Sequence, residues 1–339
     1  MNRKVLIIAE AGVNHNGDLN LAKKLVEAAK DSGADYVKFQ TWVTDEIVSK
    51  DAPKAEYQIK NDSAKSQYEI LKNLELSFES FREIKKHAEK LGIGFASTPD
   101  DEKSLHFLVD DLGMDFIKVG SGEVTNLLYL RKIGAKKLPV ILSTGMSYLS
   151  EVERAYRILQ QAGAQKITVL HCTSAYPARL DSANVRAMQV MANSLGCDVG
   201  YSDHMIEDEA SLAAVALGAV VVEKHITLDR MMKGPDHSAS LDPAQFKAYV
   251  RKIRNMTTAI TGAGQKVPAP CESETKKVVQ RGLYAARSLQ PGDVLTPDNL
   301  MALRPCDGVA AENVDLVLGA RLNVSKQKGQ SISWANLSF

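Results

Sequence analysis

The chain is poor in most of the features that assign a protein quickly to a class. No apolar stretch approaches the length of about 20 residues that a bilayer-spanning helix requires, so an α-helical membrane protein is excluded. Charge of one sign is also lacking: 42 Lys and Arg stand against 41 Asp and Glu, for a net charge of +1. No broad basic field exists to hold nucleic acid or an anionic membrane, so neither is expected as a partner. An anionic substrate would need basic groups gathered locally. The four cysteines, Cys172, Cys197, Cys271 and Cys306, form no CxxC pair. That excludes a disulfide framework or a cysteine zinc site and points to reduced thiols in the cytoplasm. No GxGxxG follows the first apolar run, which argues against a dinucleotide-binding open sheet.

What is present is ordinary in bulk and patterned in detail. Hydrophobic residues make up 45% and charged residues 24% of 339, enough for a large core. The opening MNRKVLIIAEAG is basic and then apolar, but Glu10 interrupts it. It reads as a first strand rather than a signal peptide. Further apolar runs begin at Tyr36, Gly92, Phe116, Pro139, Ile167, Val199 and Val220, making eight with the one from Val5. They are continuous rather than alternating, as in parallel strands covered on both faces. Helical patterns lie between them. Asp18 suits an N-cap, Leu21, Leu25, Ala28 and Ala29 follow at helical spacing, and Gly33 closes the segment. Eight such units predict a (β/α)8 TIM barrel over residues 1–260.

Two regions break the rhythm. Residues 43–91 are too long for a plain connection and are read as either a lid or a surface excursion. From Thr261 the chain turns Gly-, Pro- and polar-rich, which suggests a linker over 261–280. A small domain over 281–339 follows, whose core is thin enough to need support.

In such barrels the C-terminal strand ends face the active site. Every expected strand here ends in polar residues: Glu10; Lys38 and Gln40; Ser97 and Thr98; Lys118, Ser121 and Glu123; Ser143 and Thr144; His171, Thr173 and Ser174; Ser202, Asp203 and His204; Glu223, Lys224 and His225. Strand ends turn polar wherever they meet solvent, which covers any single Ser or Thr. It does not cover Lys38 and Lys118, which follow inward apolar runs where a bare lysine would be desolvated. Two lysines and several hydroxyls at one mouth describe a cradle for phosphate and carboxylate. His204 and His225 close neighbouring strands. They suit either two ligands of an open catalytic metal site or a pair of hydrogen-bonded histidines. Glu10, Glu123, Asp203 and Glu223 are open to several roles: orienting those rings, binding hydroxyls, or acid–base work. The GPDHSAS loop from Gly234 adds Asp236 and His237 beside the mouth.

The motifs IIAEAGVNHNGD, KFQTW, STP, KVGSGE, LSTGM, HCTSAYP, GYSDH, VEKHITLD, GPDHSAS and RP at Arg304 run through nearly the whole chain. Together they resemble the sialic acid (N-acylneuraminate, or nonulosonic acid) synthases, and the C-terminal segment resembles that family's antifreeze-like SAF domain. The resemblance implies an enzyme that condenses phosphoenolpyruvate with an N-acylated amino sugar. It implies a phosphoenolpyruvate site of Lys38, Thr98, Lys118, Ser121, Ser143, Ser174 and Ser202. It implies a divalent ion, Mn2+ before Mg2+ or Co2+, on His204 and His225. Sugar contacts from Glu10, Gln40, Glu123, Tyr176, Glu223 and Asp236 are implied, with Glu10, Glu123, Glu223 and His225 nearest the chemistry. It further implies a domain-swapped homodimer whose small domain places Arg304 over the partner's sugar. Three departures stand out: Asp100 follows STP where Phe is frequent, Ser174 stands where some members have Asn, and RGLYAA from Arg281 stands where RRSL or RKSL is common. Either N-acetylmannosamine or a 2,4-diacetamido-trideoxy hexose would serve as acceptor. VNHNG in place of ANHAG argues against the pseudaminate branch. A Schiff-base aldolase on the same fold is the rival enzyme, and it would release no phosphate.

Overall fold

The computed structural model describes residues 4–50, 66–262 and 264–339, so the part of the long connection at 51–65 lies outside the described residues. The chain divides into two compact units, residues 1–262 and 263–339.

The first unit carries eight parallel strands, β1 (Leu6–Gly12), β2 (Tyr36–Thr41), β3 (Gly94–Pro99), β4 (Ile117–Val119), β5 (Val140–Ser143), β6 (Ile167–Cys172), β7 (Asp198–Asp203) and β8 (Val221–His225). They pair in the order β3-β2-β1-β8-β7-β6-β5-β4, and β3 packs beside β4 across the remaining gap. This is the (β/α)8 barrel. Each strand is followed by a helix, beginning with Leu19–Asp31, which Asp18 caps by accepting from the amides of Asn20 and Leu21. Ser77 likewise caps Phe78–Leu91, which ends on left-handed Gly92. That helix is the barrel's own helix after β2, packed on Leu19–Asp31 and on β3. The excursion therefore occupies the stretch before it, where Trp42, Val13, Ile70 and Leu74 form a small apolar cluster.

Two apolar layers position the site. One lies between sheet and helices and contains Ile7, Val37, Phe39, Ile117, Val169 and Val222 among others. The other fills the barrel axis with Ile8, Ala96, Phe116, Ile141, Leu170 and Val221. Side chains alternate along a strand. Two residues beyond each axial plug residue the chain therefore points again into the barrel, now at its open end: Glu10 after Ile8, Thr98 after Ala96, Lys118 after Phe116, Ser143 after Ile141, Cys172 after Leu170 and Glu223 after Val221. The plug makes the floor of the site.

The second unit pairs β9 (Gly282–Ala285) with β10 (Leu300–Leu303), and β11 (Arg321–Leu322) with β12 (Leu337–Ser338), both antiparallel. Its core is Leu283, Ala285, Leu289, Leu295, Val309, Val317, Leu322 and Ile332. Arg304 follows β10 and is exposed.

Candidate active site

Lys38 and Lys118 project from β2 and β4 into the mouth, and each is only 2% exposed. They are not bare. Lys38 Nζ lies 2.7 Å from Glu10 Oε2 and 3.7 Å from Glu223 Oε2, while Lys118 Nζ lies 3.5 Å from Glu223 Oε1. Lys38 also donates to Thr98 Oγ1 at 3.0 Å, and Lys118 to Ser143 Oγ at 2.8 Å. The desolvation argument that singled out these lysines holds, but the protein itself supplies two of the neutralising charges.

The two carboxyls are driven apart. Burial would raise Glu223, but the ammonium groups of Lys118 and Lys38 and a hydrogen bond from Ser202 hold it down at about 2. The Ser202 hydroxyl donates to Glu223 Oε1 at 3.0 Å. Glu10 is pushed up to about 7 by burial, assisted by the negative Glu223 and opposed by Lys38. One site thus holds a carboxylate kept in its ionised form beside one that keeps its proton to higher pH.

His204 and His225 lie side by side, ring centroids 5.7 Å apart, with Tyr176 packed on both at 4.4 and 5.9 Å. His204 Nδ1 is 2.7 Å from the Thr173 carbonyl oxygen. A carbonyl only accepts, so Nδ1 carries the proton and Nε2 keeps a lone pair. His225 Nδ1 is buried without a hydrogen-bond partner among the described residues, and its nearest acid is Asp236 Oδ2 at 3.9 Å. Burial lowers both rings, His225 well below the ordinary histidine value. Two neutral imidazoles, one whose Nε2 lone pair has only a long 3.5 Å contact with Ser202 Oγ and the other with an orphaned nitrogen, form a donor set that fits a divalent cation. Among the described residues no group of three or more His, Cys, Asp or Glu converges in this way. The fit is therefore to an ion with open positions, not to a closed structural site.

Two glycines mark where the remaining side chains meet. A methyl built on Gly145, just past β5, would lie 2.1 Å from Ser174 Oγ and 3.1 Å from both Cys172 Sγ and Ser121 Oγ. The Gly145 amide donates to Ser121 Oγ at 3.0 Å, and Ser174 Oγ is buried without a hydrogen-bond partner among the described residues. This concave, donor-rich spot beside Lys118 and Ser143 suits an anion. A methyl on Gly12, where φ is +51°, would lie 3.3 Å from Glu10 Oε1 and 3.5 Å from both Asp236 Oδ2 and Gln40 Nε2. Gln40 also donates to Glu10 at 3.1 Å. This polar corner suits hydroxyl or amide groups. Burial lifts Asp236 to about 6. Glu123, on the turn after β4, accepts from Asn126 at 2.7 Å. Asp100, beyond β3, is pushed up to about 8 by burial and by the neighbouring Glu123.

The barrel thus brings together Glu10, Lys38, Gln40, Thr98, Lys118, Ser121, Ser143, Ser174, Tyr176, Ser202, His204, Glu223, His225 and Asp236. Arg304 belongs to the second unit. Several strand-end polar residues face the other way. Ser97 bonds to Thr41, Thr144 to the Leu170 carbonyl, His171 to the Ala183 carbonyl and Thr173 to the Ser182 carbonyl. Asp203 pairs with Lys224 behind the sheet, not with a histidine ring. The strand-end reading passed over Gly145 and Gly12. A glycine beside the strand-end hydroxyls was the available signal.

Comparison with known proteins agrees with this geometry. Residues 25–266 match the model of the NeuB family, and residues 280–338 match the SAF domain. The N,N'-diacetyllegionaminic acid synthase of Campylobacter jejuni is 46% identical over 94% of this chain and 95% of its own length. The protein of the same name from Legionella pneumophila is 44% identical, over 98% and 94%. The crystal structure of N-acetylneuraminic acid (sialic acid) synthetase from Leptospira borgpetersenii, in complex with citrate, superposes with a TM-score of 0.70 at 32% identity. That match covers 81% of this chain and 90% of the other.

Proposed function

The chain belongs to the NeuB family, and on that footing we propose that it condenses phosphoenolpyruvate with a 2,4-diacetamido-trideoxy hexose and water. The products would be N,N'-diacetyllegionaminate and phosphate. The observation that carries this reading is the meeting of Lys38 and Lys118 with His204 and His225 over a single apolar floor. The names of the two relatives at 46% and 44% identity favour the diacetamido acceptor over N-acetylmannosamine.

In this reading Lys38, Lys118, Thr98, Ser121, Ser143, Ser174 and Ser202 hold phosphoenolpyruvate, with the phosphate against the Gly145 cradle. Glu10, Gln40, Glu123, Tyr176 and Asp236 hold the sugar, open-chain aldehyde inward. His204 and His225 would hold a divalent ion, which we assign as Mn2+. When bound, it supplies Lewis-acid polarisation of the aldehyde. Carbon 3 of phosphoenolpyruvate attacks the aldehyde carbon, and the π electrons of its C2–C3 bond form the new C–C bond. The aldehyde oxygen takes the proton that Glu10 carries below about pH 7. Carbon 2 is left as an oxocarbenium ion, facing the ionised Glu223. Water adds there and returns one proton to Glu10, and the tetrahedral product collapses to the ketone by C–O cleavage, the hydroxyl proton leaving with the phosphate. Against burial, Glu10 and Glu223 hold Lys38 in its charged form, and it faces the departing phosphate together with Lys118.

The reading includes a homodimer working in the cytoplasm, where phosphoenolpyruvate is made. In it, the small unit of one subunit carries Arg304 to the partner's sugar; the exposure of that arginine supports this. The test is incubation with phosphoenolpyruvate, Mn2+ and each candidate sugar, with phosphate release followed and the product identified by mass. The diacetamido sugar is expected to turn over fastest. Turnover of pyruvate in place of phosphoenolpyruvate would establish the aldolase instead.

A further inference from the structure

Behind the two histidines, on the helix side of the sheet, lies a buried ion pair that the proposed reaction does not use. Strand alternation turns Ser202 and His204 of the β7 segment inward and Asp203 outward. On β8 it turns Glu223 and His225 inward and Lys224 outward. Asp203 and Lys224 are register partners, and both side chains are 0% exposed. They therefore clamp β7 to β8 one residue before each histidine.

Every polar atom of the pair is occupied. Lys224 Nζ lies 3.0 Å from Asp203 Oδ2 and donates to the carbonyls of Met205 at 2.5 Å and Glu207 at 2.8 Å. Asp203 Oδ1 accepts from the Met205 amide at 2.9 Å, and Oδ2 accepts from Ser211, which accepts in turn from Tyr249. The lysine thus reaches across the loop that leaves β7 and holds two of its carbonyls. The aspartate holds the same loop by its amide. His204 stands at the start of that loop, fixed on its other side through Thr173. Stability alone is a poor reason for such a pair, because an apolar pair of like volume serves as well or better. What the charges add is direction: a fixed loop path and a fixed spacing between neighbouring strand ends.

We infer that Asp203 and Lys224 are positioning residues that set the separation and aim of His204 and His225 from outside the site. This rests on the reading of those histidines as ligands of a divalent ion, and outer partners of metal ligands commonly matter at the level of about 10- to 100-fold in affinity.

Lys224→Met alone strands a buried carboxylate, so the informative variant is the neutral double change Asp203→Asn with Lys224→Met. Mn2+ binding by calorimetry, phosphoenolpyruvate binding, and amide exchange at residues 204–208 are measured on the full chain, with His225→Ala alongside. The double variant is expected to bind Mn2+ at least about tenfold more weakly. Its phosphoenolpyruvate affinity should stay near wild type, and Met205 should exchange faster. Wild-type Mn2+ affinity in the double variant, with His225→Ala weakened, overturns the inference and leaves the metal reading standing. A wild type that binds Mn2+ no better than His225→Ala overturns the metal reading and the inference with it. Fast exchange of the Met205 amide in the unaltered protein also overturns the inference, and needs no variant to fold.

Discussion

Replacing Gly145 by alanine tests the phosphate cradle with a single methyl group. The added carbon would lie 2.1 Å from Ser174 Oγ and 3.1 Å from Ser121 Oγ and Cys172 Sγ. The first distance is far inside contact, so Ser174 must swing away. The other two leave no room for a phosphate oxygen at the centre. At least one hydrogen bond to a charged group is lost, about 1.5–3 kcal/mol, which corresponds to roughly a 10- to 100-fold rise in KM for phosphoenolpyruvate. The sugar corner at Gly12 is built from other side chains, so KM for the sugar should hardly move. The assay is phosphate release at saturating sugar over a range of phosphoenolpyruvate concentrations. Gly122→Ala is the control, since a methyl there meets nothing within 4 Å, and it should behave as wild type. A folded Gly145→Ala protein with unchanged KM for phosphoenolpyruvate would refute the placement of the phosphate.

Other predictions follow from the charges. Glu223, held at about 2 against an ordinary 4.5, contributes stability that is complete above pH 4.5 and lost as pH falls toward 2. The total is about 3 kcal/mol, with about 2 kcal/mol gone by pH 3. Glu223→Gln should lack that dependence, as read from urea midpoints at pH 7 and pH 3; identical slopes would contradict it. Glu10, raised to about 7, is assigned as proton donor, so kcat should fall as pH rises through 7. The Glu10→Gln profile should be lower and flat there, and retention of the same limb would point to another acid. His225→Ala should lose turnover by a factor of about 100 or more, and chelation should do the same to wild type. Variant turnover that persists after chelation would remove the metal from the account.

The eight strands were legible because continuous apolar runs separated by capped helices have few other interpretations. Asp18, Ser77 and Gly92 perform the capping that their residue types suggest. Continuity of the runs also set the limit. A strand buried on both faces gives no alternation of apolar and polar residues, so nothing separates Lys118, which faces the mouth, from Lys224, which faces the helices. The same holds for Ser143 against Thr144 and for His204 against His171. Only the register with neighbouring strands distinguishes them. The lysines' burial was foreseeable from their apolar setting, but the pairing with Glu10 and Glu223 joins β1, β2, β4 and β8, contacts too distant in the chain to read from spacing. The glycine cradles were hidden because their signal is the absence of a side chain.

The most direct measurement uses phosphoenolpyruvate carrying 18O in the oxygen that bridges carbon 2 and phosphorus. A mouth that drives attack from carbon 3 and lets water add at carbon 2 breaks the C–O bond, so the label is predicted to leave in the phosphate. Label retained in the nine-carbon product would mean that phosphorus, not carbon 2, is attacked, and would contradict the account.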